Sequence, residues 1–197
     1  LGFLVLDELD DEAEDGVSGN QGIKDQLFAL RWVHENIRAF GGYPDRLLMF
    51  GQSAGAMDVC VLLGTPEADG LFDAVAMHSG NCMQVPQATA RQNGEAFVAN
   101  TPCAEATDRL ACLRGLDGQT VIEALPGDIS IAQPRLGAMA DFRWAPSVDG
   151  VFLPKPVLDA VSAGETPDVP VIIGTNGDEL DMLMGDEYAE LDRAEYE

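Results

Sequence analysis

The pentapeptide Gly51-Gln52-Ser53-Ala54-Gly55 constrains this chain more than any other feature. It follows the apolar run Leu47-Leu48-Met49-Phe50 and precedes the apolar stretch from Ala56 to Leu63. Strand, then G-x-S-x-G, then helix is the setting of a nucleophile elbow. A serine there sits on a tight turn with its hydroxyl exposed. The glycines are needed because strand and helix approach too closely for side chains. The helix that follows aims its N-terminal N–H groups at the place where an oxyanion would form. The motif fixes only three positions in a chain with 21 glycines, so a glycine-flanked turn without chemistry is the competing reading.

The surroundings of the motif predict an α/β architecture. Lys24 to Phe40 carries Leu27, Leu30, Val33 and Ile37 at helical spacing, and Gly41-Gly42-Tyr43-Pro44 stops it. Gly2 to Leu6, Leu47 to Phe50, Phe72 to Met77 and Val169 to Gly174 read as strands. Residues 88 to 125 read as mainly helical, with breaks near Pro102 and Gly115. Residues 126 to 156 hold five prolines and read as a long ordered loop, and Val157 to Ser162 as a short helix. The acidic last stretch reads as helical. Strands alternating with helices point to a mostly parallel sheet.

The 197 residues suffice for one sizeable core, and a 46% hydrophobic content marks a globular chain. No apolar run is long enough to cross a membrane, so membrane insertion is not expected. The start, Leu1 to Leu6, has neither an initiator Met nor a basic leader, and the chain is expected to begin inside a domain. Thirty-four acidic against 11 basic side chains give a formal charge of −23. That charge disfavours nucleic acid and anionic membranes as partners. Seven of the nine residues from Asp7 to Asp15 are acidic, which reads as an exposed loop.

Four cysteines are present. Cys60 lies in the apolar stretch after the elbow and reads as a small buried hydrophobe; the sequence assigns no partner to Cys82. Cys103 and Cys112 flank a short polar loop at a spacing that can close a disulfide, as suits an exported protein. The two histidines, His34 and His78, are not at zinc-ligand spacing from the cysteines, so no metal is expected.

An activated serine needs a base, and the base needs an acid to orient it. Catalytic groups collect at the C-terminal ends of parallel strands. Asp178 and Glu179 lie just past the strand ending at Gly174. In α/β-hydrolases the order is Ser, acid, His, and no histidine follows Glu179. His34 sits inside a helix. His78 ends a strand but precedes the acid, which leaves it a remote candidate for the base.

Longer segments carry a resemblance. Gly19-Asn20-Gln21-Gly22-Ile23-Lys24-Asp25-Gln26, the stretch Ala29 to Ile37, and Phe40-Gly41-Gly42-Tyr43-Pro44 resemble the type-B carboxylesterases, a family that includes the cholinesterases. The elbow follows at that family's spacing. Leu71 to Gly80, Cys112-Leu113-Arg114, Val148 to Pro154 and Val171 to Glu179 resemble later segments of the same family, in register. The resemblance implies an α/β-hydrolase fold, with residues 1–197 the central part of a single domain. It implies a carboxylic ester hydrolase acting on small-molecule esters through an acyl-enzyme, without cofactor or metal. It makes Ser53 the nucleophile, Glu179 the triad acid and the Ala54 N–H an oxyanion donor. It pairs Cys103 with Cys112, a loop disulfide usual in secreted members. His34 has no role in that pattern.

The departures are equally specific. Gln52 stands where the family often has Glu. The glycine-rich oxyanion segment is expected upstream of Leu1, and the catalytic histidine downstream of Glu197. Without them these 197 residues alone are expected to be inactive. The alternative is a cholinesterase-like adhesion module that has lost catalysis; such modules commonly lack the serine that Ser53 supplies. Trp144, Phe142 and Met83 are candidates for an acyl or alcohol pocket, with ordinary core packing as the other reading.

Overall fold

A computed structural model of the chain describes residues 2–124 and 144–179. Three parallel strands carry the architecture: β1 (Leu48–Gln52), β2 (Ala74–His78) and β5 (Val171–Gly174), in the order β1-β2-β5. Their register sets Gln52 beside His78 and His78 beside Gly174, so the three C-terminal ends are flush. Between β1 and β2 runs α3 (Ala54–Leu63), and it packs on both strands. Its length is apolar, and Ala56 and Val59 to Leu63 are buried. Before β1 comes α2 (Gln21–Asn36), which buries Ile23 and Leu27 in the same core and ends in a 3-10 turn, Ile37–Phe40. The helix α7 (Val157–Ala163) closes that core with Phe152 and Leu153.

A second cluster gathers Leu6, Phe97, Val98, Leu110 and Ala124. It lies under α1 (Asp7–Glu12), α4 (Gln87–Ala99), α5 (Arg109–Arg114) and α6 (Gly118–Ala124). A two-residue parallel pair, β3 (Val85–Pro86) with β4 (Ser147–Val148), joins the segments beside it. Buried Asn20 ties this pair to the start of α2. Its amide donates to the Ser147 carbonyl and to Asp149, both at 2.8 Å, and accepts from the Ser147 N–H at 2.9 Å.

Several expectations change. Gly2 to Leu6 is not a strand: Gly2 and Phe3 form a turn, and Leu4 to Leu6 run on without a ladder. Val5 and Leu6 are fully buried, so their apolarity reflects core packing and not sheet pairing. The acidic run is not a loop throughout, because Asp7–Glu12 form the short helix α1. Asp7, Glu8 and Asp10 occupy its first turn, where negative charge is favoured. Arginines from α4 and α5 pair with its acids. Cys60 is buried as expected but is not a lone hydrophobe; it is disulfide-bonded to Cys82. Cys103 and Cys112 form the second disulfide. The expected loop over 126–156 falls mostly outside the described residues, as does the helix expected after Glu179.

α3 packs on β1 and β2, and among the described residues the apolar side chains of β5 are exposed on both faces, Ile172 and Ile173 alike. Leu48 and Phe50 of β1 and Ile172 of β5 are exposed, Phe50 to 73%. The chain therefore presents an apolar sheet surface of a kind that is ordinarily covered.

Candidate active site

The turn between β1 and α3 is built by its glycines and its strain. Ser53 has φ 54° and ψ −120°, a region that a side chain rarely adopts. A Cβ on Gly51 would lie 2.2 Å from the backbone of Gly55, so only glycine lets strand and helix meet there. The Ser53 N–H donates to the His78 carbonyl at 2.9 Å, which fastens the turn to the end of β2. The Ser53 carbonyl accepts from the N–H groups of Ala56 and Met57 and opens the helical ladder. Ala54, as the first residue of α3, has an N–H with no acceptor inside the helix. The positive end of the α3 dipole thus lies beside Ser53.

At the end of β2, Ser79 also has positive φ, 53°. Its N–H donates to the Gly174 carbonyl at 2.8 Å, and its hydroxyl donates to Glu179. The same carboxylate oxygen of Glu179 accepts the Asn176 N–H at 2.6 Å. These bonds, the Ser79 hydroxyl foremost and the Asn176 amide next, hold the Glu179 carboxyl below its usual range. The group is thus an anion at neutral pH, held by the Ser79 hydroxyl and the Asn176 N–H. Gly80 completes the contact: a Cβ there would come within 2.6 Å of both the Ala56 Cβ and the Ser53 carbonyl oxygen.

The structure thus brings Ser53, Ala54 and Glu179 to one end of the sheet, linked through His78, Ser79 and Gly80. Asp178 lies exposed in the same bend as Glu179. His78 gives the elbow its backbone carbonyl, and its exposed position lies at the strand end between Gln52 and Gly174. His34 lies in the last turn of α2. Trp144 does not belong to this end. It is half-buried and packs edge-on against buried Phe97 at 5.9 Å, beside the second cluster. Met83 is half-buried in the segment after Cys82, and Phe142 lies outside the described residues.

Sequence reasoning passed over Ser79. The signal was a serine-glycine pair directly after a strand, where a turn residue is the ordinary interpretation. Among the described residues there is no group of three or more side chains suited to hold a metal ion, and no helix long and apolar enough to cross a membrane.

A parallel sheet with a strand–serine–helix turn defines an α/β-hydrolase, and comparison with known proteins agrees. The Carboxylesterase family model matches residues 1–196. Lipase 2 of Diutina rugosa is 35% identical over 190 residues, covering 90% of this chain and 33% of that protein. The para-nitrobenzyl esterase of Bacillus subtilis (strain 168) is 34% identical over 179 residues, covering 91% and 35%. A Geobacillus stearothermophilus carboxylesterase of known structure superposes with a TM-score of 0.75 at 31% identity, over 99% of this chain and 39% of that one. The chain belongs to the carboxylesterase family and has its α/β-hydrolase fold. It spans about a third of the length of these relatives.

Proposed function

We propose that this chain is the central part of a single carboxylesterase domain whose complete polypeptide hydrolyses small-molecule carboxylic esters with Ser53 as nucleophile. The observation that carries the reading is the left-handed Ser53 between β1 and α3, with Glu179 joined to the same strand ends through Ser79. The Ser53 hydroxyl attacks the ester carbonyl carbon and loses its proton to a histidine. The oxygen of the tetrahedral intermediate gathers negative charge and takes the Ala54 N–H. The histidine then gives its proton to the departing alcohol, leaving an acyl-serine that water hydrolyses by the reverse sequence. Glu179 orients the histidine and stabilises its charged form. No histidine follows Glu179 within these residues; in this reading the base is a histidine of the complete polypeptide, with His78 the other candidate. Two disulfides support an exported setting.

The test is Ser53→Ala in the complete polypeptide. Turnover of p-nitrophenyl butyrate is expected to fall at least about a thousandfold with the fold intact. Undiminished turnover in the variant, or none in the wild type, would remove Ser53 from the chemistry and favour an adhesion module.

A further inference from the structure

The Cys60–Cys82 disulfide has so far no part in the chemistry, yet its position singles it out. Cys60 lies seven residues beyond Ser53 on the helix that the elbow opens. Cys82 lies three residues beyond Ser79, on the segment leaving β2. The bond therefore joins the serine's helix to the segment that reaches Glu179, with Cα atoms 5.3 Å apart. Two further contacts stitch the same pieces: the Ser53 N–H to the His78 carbonyl, and Gly80 flat against Ala56 and the Ser53 carbonyl. Between these fastenings sits Ser79. Its positive φ is costly for a side chain and persists only where the surroundings over-determine it.

We propose that Cys60–Cys82 is a positioning clamp for the triad acid. By holding Gly80 to Cys82 against α3, it keeps Ser79 in its left-handed conformation with its hydroxyl on Glu179. Glu179 thereby stays fixed relative to Ser53. The inference rests on the reading that Ser53 and Glu179 carry the chemistry. It makes the enzyme sensitive to reductants through this bond. A dithiol transfers two electrons and two protons to the bond, leaving two cysteine thiols and its own cyclic disulfide. Cys82 is the half-buried end, open to attack, whereas Cys60 is 1% exposed. Cys103–Cys112 closes a nine-residue separation beside α5, in the second cluster's half, and is the internal control.

The experiment uses the complete polypeptide and p-nitrophenyl butyrate, well below the melting temperature of every variant. Cys60→Ala/Cys82→Ala is expected to lower kcat about tenfold, since small misplacements of catalytic groups have effects of that order or larger, with KM nearly unchanged. Ser79→Ala is expected to do the same. Combining the three substitutions should cost no more than the worse of the two, because the clamp acts through Ser79. Cys103→Ala/Cys112→Ala should lower Tm and leave kcat alone. A wild-type kcat in Cys60→Ala/Cys82→Ala, or losses that multiply with Ser79→Ala, overturns the clamp. Ser53→Ala run alongside separates the failures: turnover surviving there sinks the catalytic reading itself. Should the double-cysteine variant not accumulate, wild-type enzyme is titrated with dithiothreitol and thiols are mapped by alkylation. Turnover falling in step with alkylation of Cys60 and Cys82 supports the clamp; turnover that survives it does not.

Discussion

The half of the molecule around β1, α3, β2 and β5 and the half around α1, α4 and α5 are held together by different forces. In the first, backbones meet almost without side chains: Gly51 faces Gly55, and Gly80 faces the Ser53 carbonyl. Ser53 and Ser79, the two non-glycine residues of positive φ among those described, both lie here. In the second, ion pairs join helices that also pack over the apolar cluster of Leu6, Phe97, Val98 and Leu110. Arg91 meets Asp7 and Asp10, Arg109 meets Glu8 and Glu95, and Arg114 meets Glu12. Contacts of the first kind fail when an atom moves by tenths of an ångström. Contacts of the second kind range from exposed, as for Arg114 with Glu12, to largely buried, as for Arg91 with Asp10, and long charged side chains can follow small shifts of their partners. Positive φ at residues other than glycine is thus found where the chemistry is proposed, whereas close backbone approach occurs in both halves, since a Cβ on Gly94 of α4 would lie 2.1 Å from the Val5 carbonyl oxygen.

The sharpest way to break this contrast is Gly51→Ala. Its Cβ has nowhere to go, because the Gly55 carbonyl group occupies the space. We expect a loss of about 3 kcal/mol in denaturant unfolding, the upper end for overpacking, together with loss of turnover as the elbow opens. A variant with wild-type kcat would show that the elbow is not so tightly set. Next comes Trp144→Ala in the other half. Losing its half-buried ring against Phe97 should cost about 2 kcal/mol of stability, less than a fully buried ring would. It should leave KM for p-nitrophenyl butyrate unchanged. A raised KM with unchanged stability would return Trp144 to the substrate pocket.

The difference between the halves also explains what could be read in advance. The elbow was legible because its physical demands are local: glycines flanking a serine, an apolar strand before and an apolar helix after. Glu179 was legible as an acid just past a strand end, although its partners were not. Ser79 reaches it across 100 residues of sequence, and no local pattern announces such a bond. The Cys60–Cys82 bond was hidden for the same reason, since Cys60 satisfies every criterion of an ordinary core residue. Gly2 to Leu6 misled because burial and strand pairing select the same residues. The run Asp7 to Asp15 misled because the partners of its helical part, Asp7–Glu12, are arginines 84 and 102 residues away, which no local pattern announces.

Ser79→Ala gives the next smaller effect. Besides the fall in kcat, it removes the largest of the influences that depress the Glu179 carboxyl. Its titration, followed by carbon NMR of labelled glutamate, should move up toward the ordinary value of 4.5. The sign for stability follows. A depressed carboxyl stabilises the fold above its unfolded value, and that contribution fades as pH falls through the folded one. Ser79→Ala should therefore flatten the dependence of stability on pH below about 4.5. An unshifted Glu179 would mean that the Asn176 amide alone sets its charge.

The smallest effect tests the acidic half. Arg91 joins α4 to α1 through Asp7 and Asp10, and Asp7 is largely exposed with a side chain 81% accessible. Removing the guanidinium in Arg91→Ala should cost about 1 kcal/mol at low salt, the larger share from Asp10, whose side chain is only 17% accessible. In 1 M salt the cost should shrink further, as screening cuts in at about 3 Å. The kinetics should not change at either salt concentration, because no contact of Arg91 leads to the strand ends. A loss of several kcal/mol, or a drop in kcat, would show that α1 and its ion pairs are mechanically coupled to the elbow and that the two halves are not independent.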